Sequence, residues 1–286
     1  MQTIQGILPH LLGTSLGTAL CTLLYAALAF YFWRRHWSAT GAAQIDGTSR
    51  RGVEHAALLA PFALHSFLLS GSLFGSDGLY LGVGNALSLI LWLTVLIYGL
   101  GSLFYRLDGL HALVLPAAAV AVMLPVVFPA THALANTETW AFKAHLLISM
   151  LAYSFFTIAS LHVMLMAIIE RRLHTGTVPP SLRSMPPLLT LETLLFRIIA
   201  AGFVLLTLTI ASGVLFSEEL FGKPARFSHK TVFGVLSWLI FAALLGGRMI
   251  YGWRGRTAVR WTLAGFLMLV LAYIGSKFVL EVILGR

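Results

Sequence analysis

Charge is what this chain has least of. Only 10% of its 286 residues are Asp, Glu, Lys or Arg, against about 25% in soluble domains. Hydrophobic residues make up 58%. No soluble core could hide that much apolar surface, which leaves an all-α, polytopic helical membrane protein. Cysteine is nearly missing: Cys21 stands alone, which excludes an intrachain disulfide and a thiolate metal site. There is no C-x-x-C-H, so the chain is not a cytochrome with covalently attached haem. There is no Gly-rich phosphate loop, which argues against ATP hydrolysis by this chain. The opening MQTIQGILPH has no basic stretch before its apolar run, so no cleaved signal peptide is expected. No polar stretch is long enough to fold as a soluble domain. Residues 1–286 are therefore expected to form one integral membrane domain.

What is present is a series of apolar runs, each near the roughly 20 residues needed to cross a bilayer as a helix. Eight spans are predicted, at about 8–32, 56–74, 85–104, 110–128, 145–169, 193–216, 231–250 and 258–283. The fourth carries Pro116 and Pro125, which neighbouring helices must accommodate. The net charge is +9. It arises from loops at alternate span ends and does not call for nucleic acid. Arg34, Arg35, Arg50, Arg51, Arg106, Arg171, Arg172, Arg183, Arg248, Arg254, Arg256 and Arg260 fall on one side. The positive-inside rule makes that side cytoplasmic and puts both termini outside. Trp33, Trp140, Trp253 and Trp261 lie where an interfacial aromatic belt is expected. Gly13 and Gly17 form a G-x-x-x-G that could let a helix approach closely; ordinary small-residue packing explains it equally well.

Ionisable groups at depth are the functional candidates in a membrane protein. No carboxylate falls near mid-span, which argues against a proton- or cation-coupled carrier. Histidines do: His65 in the second span and His162 in the fifth, roughly 14 Å and 12 Å from the inner ends of their helices. His145 opens the fifth span. It lies 17 residues from His162, roughly 25 Å along the helix, so the two cannot share one iron. Neutral imidazole is a common metal and haem-iron ligand, although a lone membrane histidine often only hydrogen-bonds a neighbouring helix. A second candidate cluster is outward: His132, His145 and His229, with Trp140, Lys143, Arg226 and Lys230. There imidazoles could hold iron while cations pair with propionates. The plainer alternative is a set of loop histidines at a wet interface.

Several motifs go beyond composition. LETLLFRI (191–198), GFVLLTLTIASG (202–213), Lys230-x7-Trp238 and Gly252-Trp253-Arg254-Gly255 follow in order. His65 precedes a loop with Gly78 and Asn85, and HLLISMLAYSFF opens at His145 with Tyr153 and Phe156 inside it. In this order the chain resembles the cytochrome c assembly family of CcsA/CcmC-type haem-handling membrane proteins, and within it the short YpjD-like branch. The resemblance covers about residues 56–284. It implies b-type, non-covalent haem, with His65 and His145 as candidate iron ligands and Lys230 and Trp238 as matched positions near the haem. It also implies assembly proteins as partners, within a bacterial inner membrane. The sequence departs from the family pattern as well. The Trp-rich outward loop W-G-x-x-W-x-W-D is replaced by GKPARFSHK (222–230), Gly246 stands where a histidine follows the matched tryptophan, and the last outward histidine is missing. Two alternatives stay open. Either no haem binds, or substitutes serve: His162 beside His65, and His229 or His132 beside His145.

Three functions compete on this reading. The first is a haem-binding and delivery module for cytochrome assembly, not a turnover enzyme. The second is a permease-like component served by a separate ATPase. The third is an accessory scaffold whose histidines are structural. No nucleophile–base constellation points to catalysis.

Overall fold

The computed structural model describes residues 2–37, 47–75, 78–105, 108–134, 137–174, 187–216 and 229–275. Among these residues the chain forms eight long helices. They are α1 (Gln2–Trp37), α2 (Gly47–Leu73), α3 (Val83–Phe104), α4 (His111–Val127), α5 (Trp140–His174), α6 (Leu188–Leu215), α7 (His229–Tyr251) and α8 (Gly255–Val270). A two-residue antiparallel pair, β1 (Phe74–Gly75) with β2 (Gly78–Leu79), joins α2 to α3. Seven of the eight helices are long and apolar enough to span a membrane. The fourth expected span differs: α4 has only 17 residues. It starts after a 3-10 turn at Asp108–Leu110 and holds Pro125 in its last turn. A proline supplies no N–H to continue the ladder. The expected span from 258 to 283 is described only to residue 275, ending in a π-helical turn at Leu271–Gly275. The rest lies outside the described residues.

The described residues divide into two compact units, α1–α4 and α5–α8. In the first, α1 packs on α4 and α2, and α3 packs on the same two helices. The inward face of α1 is Thr18, Cys21, Tyr25, Ala29 and Phe32, the three- and four-residue steps of a helical stripe. Leu16, Leu20, Leu23 and Phe30 point outward, exposed as lipid-facing side chains are. Gly84, in the first turn of α3, meets the main chain of α4. A Cβ there would overlap the carbonyl oxygens of Leu124 and Phe128, so only glycine permits the approach. Asn85 fixes the hairpin, its Nδ2 donating to the carbonyls of Ser72 at 2.8 Å and Tyr80 at 2.6 Å.

In the second unit α5 is the central helix. It packs on α6 and α8, and α7 packs on α8 and α6. In its most apolar window 72% of residues are buried, against 17–28% in α6, α7 and α8. A helix apolar on all sides belongs in the middle of a bundle. Gly202 lets α6 close on Phe155 and Phe156 of α5. Phe156 stacks on Phe241 of α7 at 3.9 Å between ring centres, and Gly265 of α8 leaves room for Phe241.

Candidate functional site

In the first unit His65 is 1% exposed. Its Nε2 lies 2.9 Å from Ser88 Oγ and its Nδ1 3.5 Å from Tyr25 Oη. Tyr25 also meets the imidazole edge-on at 5.8 Å. Both ring nitrogens are thus engaged by neighbouring helices. His111, which the sequence reading did not single out, is also held by side chains of neighbouring helices. Its Nδ1 is 2.7 Å from Tyr98 Oη, and its ring stacks on Phe32 at 4.2 Å. His55 adds a third case, its Nε2 2.8 Å from Ser102 Oγ. These histidines bond helices to one another. His132 is exposed, with Nδ1 2.8 Å from Thr131 Oγ1.

The second unit treats its histidines differently. His162 is 0% exposed. Its Nε2 lies 2.9 Å from the Leu191 carbonyl, which can only accept, so the proton sits on Nε2. Nδ1 then carries the lone pair, and it is buried without a hydrogen-bond partner. His145 Nδ1 is 2.8 Å from Ser212 Oγ. The Ser212 hydroxyl donates to Thr209 O at 3.1 Å, so His145 donates from Nδ1 and carries its lone pair on Nε2. Beside it, Gly213 comes close enough that a Cβ would lie 3.4 Å from His145 Cε1. A neutral imidazole with one nitrogen tied as a donor and a lone pair on the other is the form that ligates metals. By donor chemistry His162, through Nδ1, is the described imidazole that best fits haem iron, and His145 has the matching tautomer. His65, with both nitrogens occupied, fits only if it gives up Ser88 or Tyr25.

The remaining expected residues are not gathered around a common ligand. Lys230 lies over the Tyr273 ring at 6.0 Å. Trp238 donates Nε1–H to Thr207 Oγ1 at 2.8 Å and stacks on Phe203 at 5.4 Å. The His229 side chain lies outside what is described. His65 and His132 belong to the first unit, His145 and His162 to the second. Among the described residues no group of three or more His, Cys, Asp or Glu is arranged around a metal position.

The sequence also understated one end of the second unit. Glu192, just ahead of the expected sixth span at 193–216, is 7% exposed. Its Oε1 meets Arg248 Nη1 at 2.9 Å, with Arg254 Nε at 3.9 Å. Arg248 lies over the Phe196 ring at 4.8 Å and donates to the Trp253 carbonyl at 3.3 Å. The Gly-Trp-Arg-Gly turn makes this possible, because Gly252 and Gly255 have φ of 67° and 51°, which favours glycine. Trp253 packs over Gly247, where a Cβ would collide with the indole. LETLLFRI therefore supplies the Leu191 carbonyl to His162, Glu192 to two arginines and Phe196 to a guanidinium. That pattern could have been found by asking why a carboxylate opens an apolar run.

Membrane-length helices in two units, with His65 bonded at both ring nitrogens and His162 buried with Nδ1 unpartnered, define a multi-pass helical membrane protein with candidate ligand positions. Residues 53–284 match the model of the Cytochrome C assembly protein family, and the chain belongs to that family. It is 30% identical over 248 residues to the inner membrane protein YpjD of Escherichia coli K12, across 85% of this chain and 92% of that one. An 88-residue stretch is 39% identical to the cytochrome c biogenesis protein CcsA of Prochlorococcus marinus AS9601, covering 31% of this chain and 28% of that protein. A 28.8 kDa protein of Azospirillum brasilense is 34% identical over 143 residues, covering 49% of this chain and 52% of that one. The chain is a multi-pass protein of the inner membrane, and its family membership supports a role in cytochrome c biogenesis.

Proposed function

We propose that this protein binds non-covalent, b-type haem and passes it on during cytochrome assembly, working with other assembly proteins and not as a turnover enzyme. The observation that carries the reading is His162: a buried imidazole whose tautomer is set by the Leu191 carbonyl and whose Nδ1 has no partner. Leaving such a lone pair unsatisfied in a buried site costs roughly 1–3 kcal/mol, which a ligand accepting that lone pair would recover. His145, oriented by Ser212, is the second candidate donor, and His65 a third that must first leave Ser88 or Tyr25. Bound haem would supply an iron whose oxidation state governs how tightly imidazoles hold it. The chain's own residues orient, desolvate and release it.

The test is a haem titration of the purified protein, followed by oxidised and dithionite-reduced visible spectra. Saturable binding with sharp α and β bands is expected. Separate His162→Ala and His145→Ala proteins should weaken binding or lose the low-spin bands. Saturable binding with unchanged spectra in His65→Ala, His145→Ala and His162→Ala alike would sink the ligand assignment. No saturable binding at all would sink the function.

A further inference from the structure

We propose that the cavity between the C-terminal end of α5 and the N-terminal end of α8 is a binding site for the phosphate headgroup of an anionic phospholipid. The cavity measures about 690 Å³. Glu170, Arg171 and His174 line it from α5, and Arg256 and Arg260 from α8, with Ala167 and Val259 as apolar walls. Three guanidiniums against one carboxylate leave a surplus of two positive charges with His174 neutral. Glu170 is engaged by Arg256, at 3.4 Å. Arg260 has no ion-pair partner among the described residues. Arg256 and Arg260 are four apart on α8, and Glu170 and His174 four apart on α5, so each pair stands on one helix face. The N-terminus of α8 adds its positive dipole end to the same place.

A free phosphate would use only the charges, but the surroundings suit a lipid. Met164 stands seven residues before Arg171 on α5, and Leu267 seven after Arg260 on α8. Seven residues are two helical turns, which returns to nearly the same face. Both side chains are exposed, at 46% and 54%, and they continue the cavity walls toward the hydrocarbon. The headgroup would lie among the guanidiniums and an acyl chain along Met164 and Leu267. The arginine distribution assigns this end to the cytoplasmic face, where basic pockets between helices take up acidic headgroups.

The experiment is native mass spectrometry of the full-length, detergent-purified protein titrated with phosphatidylglycerol or phosphatidylcholine. The expected result is preferential retention of phosphatidylglycerol. Arg256→Gln/Arg260→Gln should reduce that preference roughly 30-fold, as two headgroup charges imply. Arg260→Gln alone, which disturbs no ion pair among the described residues, should reduce it partway and covers the case of a misfolded double variant. Arg34→Gln, an exposed arginine of the first unit, should leave it unchanged. Equal retention of both lipids overturns the proposal, as does a loss in Arg34→Gln equal to that in Arg256→Gln/Arg260→Gln. Displacement of phosphatidylglycerol by millimolar inorganic phosphate would assign the site to the free ion instead. If Arg256→Gln/Arg260→Gln kept the lipid preference but weakened haem uptake, the basic cluster would belong to haem propionates.

Discussion

His65 in the first unit and His162 in the second are tied down in opposite ways. In the first, His65 is clamped between Tyr25 and Ser88, and His111 between Tyr98 and Phe32. In the second, His162 is held through Nε2 by the Leu191 carbonyl, and its Nδ1 has no hydrogen-bond partner. The difference lies in what the neighbouring helix offers. Hydroxyls both donate and accept, so two of them can satisfy both sides of an imidazole. A backbone carbonyl only accepts, so it fixes a tautomer and leaves a lone pair over. A buried membrane histidine is thus a rivet or a candidate ligand according to its partners and not its depth.

The largest test of that contrast removes the anchor of the second unit. Glu192→Ala leaves Arg248 without its carboxylate in a partly buried setting, where breaking such a pair costs about 3–5 kcal/mol. Thermal unfolding in detergent should show a large drop. A drop no greater than that from a surface change such as Glu138→Ala would mean that the knot does not hold α6. Next comes a comparison of His162→Ala with His65→Ala. The first should abolish or sharply weaken haem binding. The second should keep it while destabilising the fold by about 1–3 kcal/mol, because Ser88 is left buried without the ring. The reverse outcome would exchange the roles assigned to the two units. Ser212→Ala should be milder, with haem affinity falling about tenfold as an orienting partner of His145 is lost. Unchanged affinity would argue that His145 is not a ligand. The smallest effect is expected from Trp238→Phe, which loses one hydrogen bond to Thr207 and keeps the stacking on Phe203. About 1 kcal/mol of stability and unchanged haem binding are expected. A collapse of binding would restore Trp238 to the site.

Much of the helical layout was legible because hydropathy and length carry it. The α3 and α7 boundaries fall within about two residues of those read from the sequence. The misses have physical reasons. The α5 helix begins at Trp140 and not near His145, since Lys143 looked like a loop charge, while the Thr139 hydroxyl caps the helix by accepting from Phe142 N–H at 3.2 Å. The α6 helix begins at Leu188 and not near Thr193, because Glu192 looked like a boundary and is instead buried by Arg248. His111 escaped notice at the edge of an expected loop. Its partners Tyr98 and Phe32 come from other helices, and no local pattern announces them. The Gly-Trp-Arg-Gly turn was visible as a motif, but its role as the support for Arg248 needed the backbone angles. The histidines were found by residue type and depth. That His162 keeps Nδ1 in reserve depends on the Leu191 carbonyl of the next helix.

The central position of α5 bears on how the chain is made. This helix is synthesised before the three that come to surround it, so its polar side chains must first tolerate lipid. Ser149, Ser154, Thr157 and Ser160 all return their hydroxyls to carbonyls of their own helix, at 2.8–2.9 Å. They need no neighbour while they wait in the bilayer. His162 is different: its N–H finds the Leu191 carbonyl only when the next helix arrives. That single bond is a late check that α5 and α6 have met in the correct register. It leaves the lone pair of His162 positioned only in a chain that has assembled past that point.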